Sequence, residues 1–89
     1  MSGQSRSLEV ALFMKENCHL CELVEAEIRS TQADFVLTTV DIEVNLEVHD
    51  RYWMRIPVVT IGGMEVFEAK MMDRPGEWRR RLRSLLGES

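Results

Sequence analysis

The sequence predicts an α/β domain of order β-α-β-α-β-β-α, in which helices flank a four-stranded mixed sheet. Three observations carry this expectation. Segments rich in β-branched residues alternate with segments whose apolar residues recur at helical spacing, and a glycine pair divides the last two β-rich segments. A chain of 89 residues suffices for one core and leaves no room for a second domain.

The first seven residues, "MSGQSRS", are small and polar with nothing to bury. They read as a disordered tail over 1–7, ahead of a single domain over 8–87. From Leu8 to Met14, "LEVALFM" is apolar except at Glu9, as expected of a central strand covered on both faces. After the polar loop Lys15 to Asn17 the period changes. Leu20, Leu23, Val24 and Ile28 share one side of a helix, while Glu22, Glu25 and Arg29 lie elsewhere. Asn17 or Cys18 is placed to cap this helix, and Glu22 and Glu25 suit its first turns through the helix dipole.

"FVLTTVDI", Phe35 to Ile42, reads as a second strand from its β-branched and aromatic content. Asn45 then caps a short second helix over Leu46 to Tyr52. "IPVVTI" and "MEVF" are two further strands, and Gly62-Gly63 between them signals a tight antiparallel hairpin whose turn needs positive φ. Pro75 suits the first turn of a last helix with the apolar stripe Trp78, Leu82, Leu85 and Leu86, and Gly87 can end it. A strand joined to a neighbour through a helix makes a parallel crossover, and the hairpin adds antiparallel strands, hence the mixed sheet.

A hydrophobic fraction of 45% and a charged fraction of 29% are those of ordinary globular chains, which excludes fibrous and disordered classes. Eleven Lys and Arg against fifteen Asp and Glu give a net charge of −4, so no nucleic-acid partner is expected. Arg79, Arg80, Arg81 and Arg83 are expected to form a solvated face of the last helix rather than a docking surface. The early apolar run Val10 to Met14 is too short for a signal-peptide core or a membrane span, so the expectation is a cytoplasmic protein with no membrane partner.

Cys18 and Cys21, within "KENCHLCELVE", are the only cysteines. Such a pair can hold a metal, staple a loop or exchange electrons. A reducing cytosol favours catalysis or metal binding over a staple, and a bridge across so short a loop constrains the unfolded chain little. A structural zinc ion wants four ligands, and only His19 and His49 are further nitrogen donors. His19 lies inside the pair, and His49 belongs to a helix expected on the opposite face of the sheet, so no metal site is assigned.

Three features occur in order: Cys18-His19-Leu20-Cys21 between the first strand and helix, Ile56-Pro57 opening the third strand, and Gly62-Gly63 between the last two strands. Together they resemble the thioredoxin fold and, within it, the small glutaredoxin-like proteins, over nearly all of Leu8 to Gly87. Asp41, Arg51-Tyr52 and Ile56-Pro57-Val58 fit the compact members whose roles are poorly defined. The resemblance implies a cis Pro57 facing the cysteines, with the Ile56 backbone open to an extended partner chain. It also implies a redox-active Cys18–Cys21 disulfide in a thiol–disulfide oxidoreductase serving electron transport and cell redox homeostasis. The expected partners are a protein disulfide substrate and a thiol reductant or reductase, acting on a monomer.

The residues assign roles within that chemistry. Exchange needs a thiolate to attack a sulfur and a second thiol to resolve the mixed disulfide. Cys18, at the helix start, faces the unpaired N–H groups and the positive dipole end, whereas Cys21 turns inward beneath it. Cys18 is therefore read as nucleophile and Cys21 as resolving thiol. Lys15 adds a positive charge that lowers a thiol pKa, unless it is only a solvated loop residue. His19, where glutaredoxins usually carry proline, stabilises a thiolate if protonated and is otherwise a solvent-facing spacer.

Glutathione-dependent relatives place Gly-Gly and a polar residue after the fourth strand. Here the glycines fall in the hairpin, and Glu68-Ala69 occupy the position after the strand. A carboxylate there repels an anionic tripeptide if it faces the site. No tightly bound cofactor is expected, and glutathione is disfavoured without being excluded. The alternative is a thioredoxin-like binding module whose cysteines act as a redox sensor or as metal or iron–sulfur ligands, since some glutaredoxins bridge a cluster between two chains.

Overall fold

A computed structural model describes residues 7–88 of the chain. Its strands are β1 (Leu8–Met14), β2 (Phe35–Asp41), β3 (Val58–Ile61) and β4 (Met64–Phe67), and its helices are α1 (His19–Ser30), α2 (Leu46–Tyr52) and α3 (Pro75–Leu85). The order is the expected β-α-β-α-β-β-α. The strands form one mixed sheet in the order β2-β1-β3-β4, with β1 parallel to β2 and antiparallel to β3, and β3 antiparallel to β4. Gly62 and Gly63 turn the β3–β4 hairpin with φ of 59° and 83°, values that a side chain would strain.

Alternation along β1 sends its side chains to two cores. Val10 and Leu12 pack with Val24 and Ile28 of α1, Val59, Phe67, Trp78 and Leu82 of α3, and Leu86 just past its end. Phe13 points the other way and joins a smaller cluster of Ile42, Tyr52 and Val58. Thus α1 and α3 cover one face, and the short α2 covers part of the other. Asn45 caps α2 by accepting the Val48 N–H at 3.0 Å.

Several details depart from the sequence reading. The second strand stops at Asp41, because the Asp41 carboxylate accepts the Glu43 N–H at 2.8 Å and turns Ile42–Val44 into a 3₁₀ turn. The third strand begins at Val58, since Pro57 has no N–H to give to the ladder. An unanticipated 3₁₀ turn spans Ala69–Met72. Of the tail expected over 1–7, residues 1–6 lie outside the described residues. Ser7 donates its hydroxyl to Asp34 at 2.7 Å.

The four arginines of α3 do not share one face. Arg79 and Arg83 turn inward and donate to the carboxylate of Glu27, at 3.0 Å from Arg79, and that carboxylate is buried between α1 and α3. Arg80 and Arg81 stay exposed. The charge-assisted pair with Glu27 holds the Arg83 guanidinium more firmly protonated than usual, and Glu88 at 3.0 Å adds to it.

Candidate active site at the Cys18–Cys21 pair

Strand register brings the candidate residues to one end of the sheet. Met14 lies opposite Asp41 and Phe13 opposite Val58, so the loop leaving β1 and the segment entering β3 start side by side. Cys18 lies on the first and Pro57 on the second. Asn17, with φ of 60°, makes the bend between β1 and α1; asparagine is one of the few side chains that tolerate this region.

Cys18 is the N-cap of α1, and its Sγ accepts the Cys21 N–H at 3.2 Å. The Glu22 N–H reaches the Cys18 carbonyl at 3.1 Å. One turn thus directs a backbone donor at the first sulfur while drawing the second inward. Cys18 is half-buried, and Cys21 is fully buried. Their Cα atoms stand 5.2 Å apart, inside the range a disulfide spans, and the sulfurs are paired. His19 between them is exposed, as is Leu20, which was expected on the buried stripe. The first turn faces solvent because the sheet ends before it, and the stripe starts at Cys21. Lys15 and Glu16 are also exposed.

The Ile56–Pro57 bond is cis, and Pro57 is fully buried. The Ile56 N–H already donates to the Tyr52 carbonyl at 3.1 Å. Tyr52 in turn packs on Phe13, their ring centroids 4.3 Å apart, which ties the proline segment to β1. His49 stacks on Trp53 at 6.2 Å between centroids. Among the described residues, no group of three or more His, Cys, Asp or Glu side chains is arranged to hold a metal ion.

The sequence reading missed Arg55, which organises the corner after β4. Its guanidinium donates to Glu65 at 2.7 and 3.2 Å, approaches Glu68 at 3.9 Å, and lies 5.2 Å from the Tyr52 ring centre. Its carbonyl accepts the Ala69 N–H at 3.1 Å. The hydrogen bond from Arg55 holds the Glu65 carboxyl below the usual carboxylate range. Glu68 is therefore turned to Arg55 and to Lys70, 3.8 Å away. The available signal was a cation two residues before a proline with two carboxylates ahead of it, and only the hairpin register shows that they meet.

A family model described as the Glutaredoxin-like domain matches residues 9–81. A comparison with curated proteins finds no match. Among solved structures, a mutant thioredoxin from Halobacterium salinarum NRC-1 superposes with a TM-score of 0.57 at 20% identity, covering 96% of this chain and 80% of that one. At that identity the likeness shows the thioredoxin-like fold alone. A paired Cys-x-x-Cys on such a fold is consistent with redox function. No helix among the described residues is long and apolar enough to cross a membrane.

Proposed function

Because this chain belongs to the glutaredoxin-like domain family, we propose that it is a thiol–disulfide oxidoreductase in which Cys18 attacks and Cys21 resolves. The asymmetry of the pair carries this reading: Cys18 Sγ is within reach of solvent and receives the Cys21 N–H, while Cys21 has no exposed surface. Charge-assisted donation from a backbone N–H favours the thiolate over the thiol.

In the reducing direction, the Cys18 thiolate attacks one sulfur of a partner's disulfide. A Cys18–partner disulfide forms as the partner's bond breaks, and one partner thiolate leaves and takes a proton from water. Cys21 then gives up its proton and attacks the Cys18 sulfur, releasing the second partner thiol. Two electrons and two protons pass to the partner, and the Cys18–Cys21 disulfide remains. A thiol reductant or reductase returns the electrons. The sulfur pair suffices for this chemistry without a bound cofactor or second copy, and a reducing compartment suits it.

One observation supports a reaction without a standard glutathione site: the Ala69 N–H after β4 is taken by the Arg55 carbonyl, while the Glu68 carboxylate is partnered by Arg55 and Lys70. The test is reduction of insulin disulfides by the dithiothreitol-reduced protein, alongside a redox titration of the pair. Cys18→Ser is expected to abolish turnover, a loss of at least about 1,000-fold, because the attacking atom is gone. Activity surviving that change, or a pair without a reversible two-electron transition, overturns the assignment.

A further inference from the structure

Isolated exposed apolar side chains are ordinary, but here they cluster. Of seven exposed large apolar residues among the described ones, five lie at the disulfide end of the sheet: Leu20 in α1, Val44 ahead of α2, Leu46 at its first position, and Trp53 and Met54 behind it. Leu46 is 77% exposed, Val44 78% and Met54 77%, so the chain provides them almost no cover. Beside them, a cavity of about 200 Å³ is lined by Phe13, Glu47, Val48, Arg51 and Tyr52. Its walls combine two aromatic rings with one carboxylate, Glu47, and one guanidinium, Arg51.

The same ledge is acidic. Between Asp41 and Arg51 the carboxylates of Asp41, Glu43, Glu47 and Asp50 are all exposed, and Arg51 is the one permanent cation. Asp41 accepts the Glu43 N–H, and Asp50 has only the His49 ring, 3.7 Å away. Glu43 and Glu47 have no ion pair among the described residues.

We infer that this ledge docks the polypeptide of the disulfide-exchange partner, and that the segment it takes is both apolar and cationic. The inference rests on the oxidoreductase reading for the reason a partner comes here: a mixed disulfide at Cys18 holds the partner's chain against this end of the sheet. The uncovered Val44, Leu46, Trp53 and Met54 give that chain apolar contact. The uncompensated carboxylates choose its charge, since complementary fields speed encounter and like charges reject the wrong partner.

The test uses two labelled nine-residue peptides with the same Leu, Val and Phe around a central cysteine, one carrying four Lys and the other four Glu. Each is presented as a mixed disulfide with a small neutral thiol, and its reduction is followed at low and high salt. The expected rate ratio of cationic to anionic peptide is about 10 at low ionic strength, collapsing towards 1 in about 0.5 M salt. In Glu43→Gln/Glu47→Gln the low-salt ratio falls to about half or less, and Val44→Ser/Leu46→Ser slows the cationic peptide relative to its anionic counterpart. A second arm measures binding without exchange, by fluorescence polarisation of serine-containing peptides on the Cys18→Ser/Cys21→Ser protein. Preference for the cationic peptide in this arm upholds the docking surface even if the unaltered protein exchanges with neither peptide, a result that sinks the oxidoreductase reading alone. Equal affinities, an anionic preference, or a preference untouched by the glutamate changes overturns the inference.

Discussion

The first turn of α1 and its last two turns treat polar atoms in opposite ways. Around Glu27 each polar atom is matched: two guanidiniums from α3 meet one carboxylate, and the Glu27 carbonyl accepts the hydroxyls of Ser30 and Thr31. At the other end, the Cys18 sulfur takes one backbone N–H, and His19 and Leu20 stand in solvent. The matched end joins two helices across the main core. The open end leaves a sulfur with a donor in place and a path to a partner. Saturated contacts fix structure, whereas an atom left short of contacts is one that a reaction can use.

The largest effect expected from this contrast is chemical. In the reduced protein at neutral pH, iodoacetamide should label Cys18 at least about 100-fold faster than Cys21, since the thiolate fraction and access both favour the first. Peptide mass analysis after short labelling times reads the ratio directly. Comparable rates would mean that the first turn is no more open than the rest of the helix, and would take away the basis for distinct sulfur roles.

A smaller effect is expected where contacts are saturated. Glu27→Ala removes the carboxylate shared by Arg79 and Arg83 and leaves two guanidiniums beside the helix interface. Each arginine side chain is about a third exposed, at 38% and 33%, so water recovers part of the loss. The expected fall in unfolding free energy is about 1–3 kcal/mol, below the cost of breaking a fully buried pair. Urea unfolding with an unchanged slope would measure it, and the Cys18 labelling rate should not move. A loss under about 0.5 kcal/mol would rank the cluster with ordinary surface pairs and dissolve the contrast.

Glu27 also shows where sequence reading stops. The strands, helices and hairpin were legible because period, caps and glycine pairs act over a few residues: Asn45 and Pro75 begin α2 and α3, and Gly62-Gly63 turn the hairpin. Cys18, Cys21 and Pro57 were legible as a motif with an order. The Glu27 cluster was not, because its partners lie 52 and 56 residues away. Four neighbouring arginines look alike in sequence, and only the docking of α3 on α1 decides which two turn inward. Leu20 misled for the related reason that a helical stripe does not tell where the sheet beneath it ends. Arg55 needed the β3–β4 register, which puts Glu65 opposite Thr60 and within its reach.

The smallest effect sharpens the contrast by pH. Glu65 resembles Glu27 in meeting an arginine, but its pair with Arg55 is open to water, with side chains 33% and 40% exposed. The hydrogen bond from Arg55 lowers the Glu65 pKa in the folded protein. Folding therefore favours the ionised form, and the pair's contribution is fully present above the unfolded carboxylate value of about 4.3, then fades as pH falls through the lower folded value. Glu65→Gln should accordingly be slightly less stable than the unaltered protein near pH 7, and that gap should close on acidification towards pH 3. Thermal unfolding across pH 3 to 7 measures the gap, and added salt should narrow it at neutral pH, because exposed charges are screened. A gap that stayed constant with pH would show that Glu65 acts through neutral hydrogen bonding or packing. A gap as wide as that of Glu27→Ala would show that exposure does not separate the two carboxylates, and the distinction between the matched and open regions would then need a different physical basis.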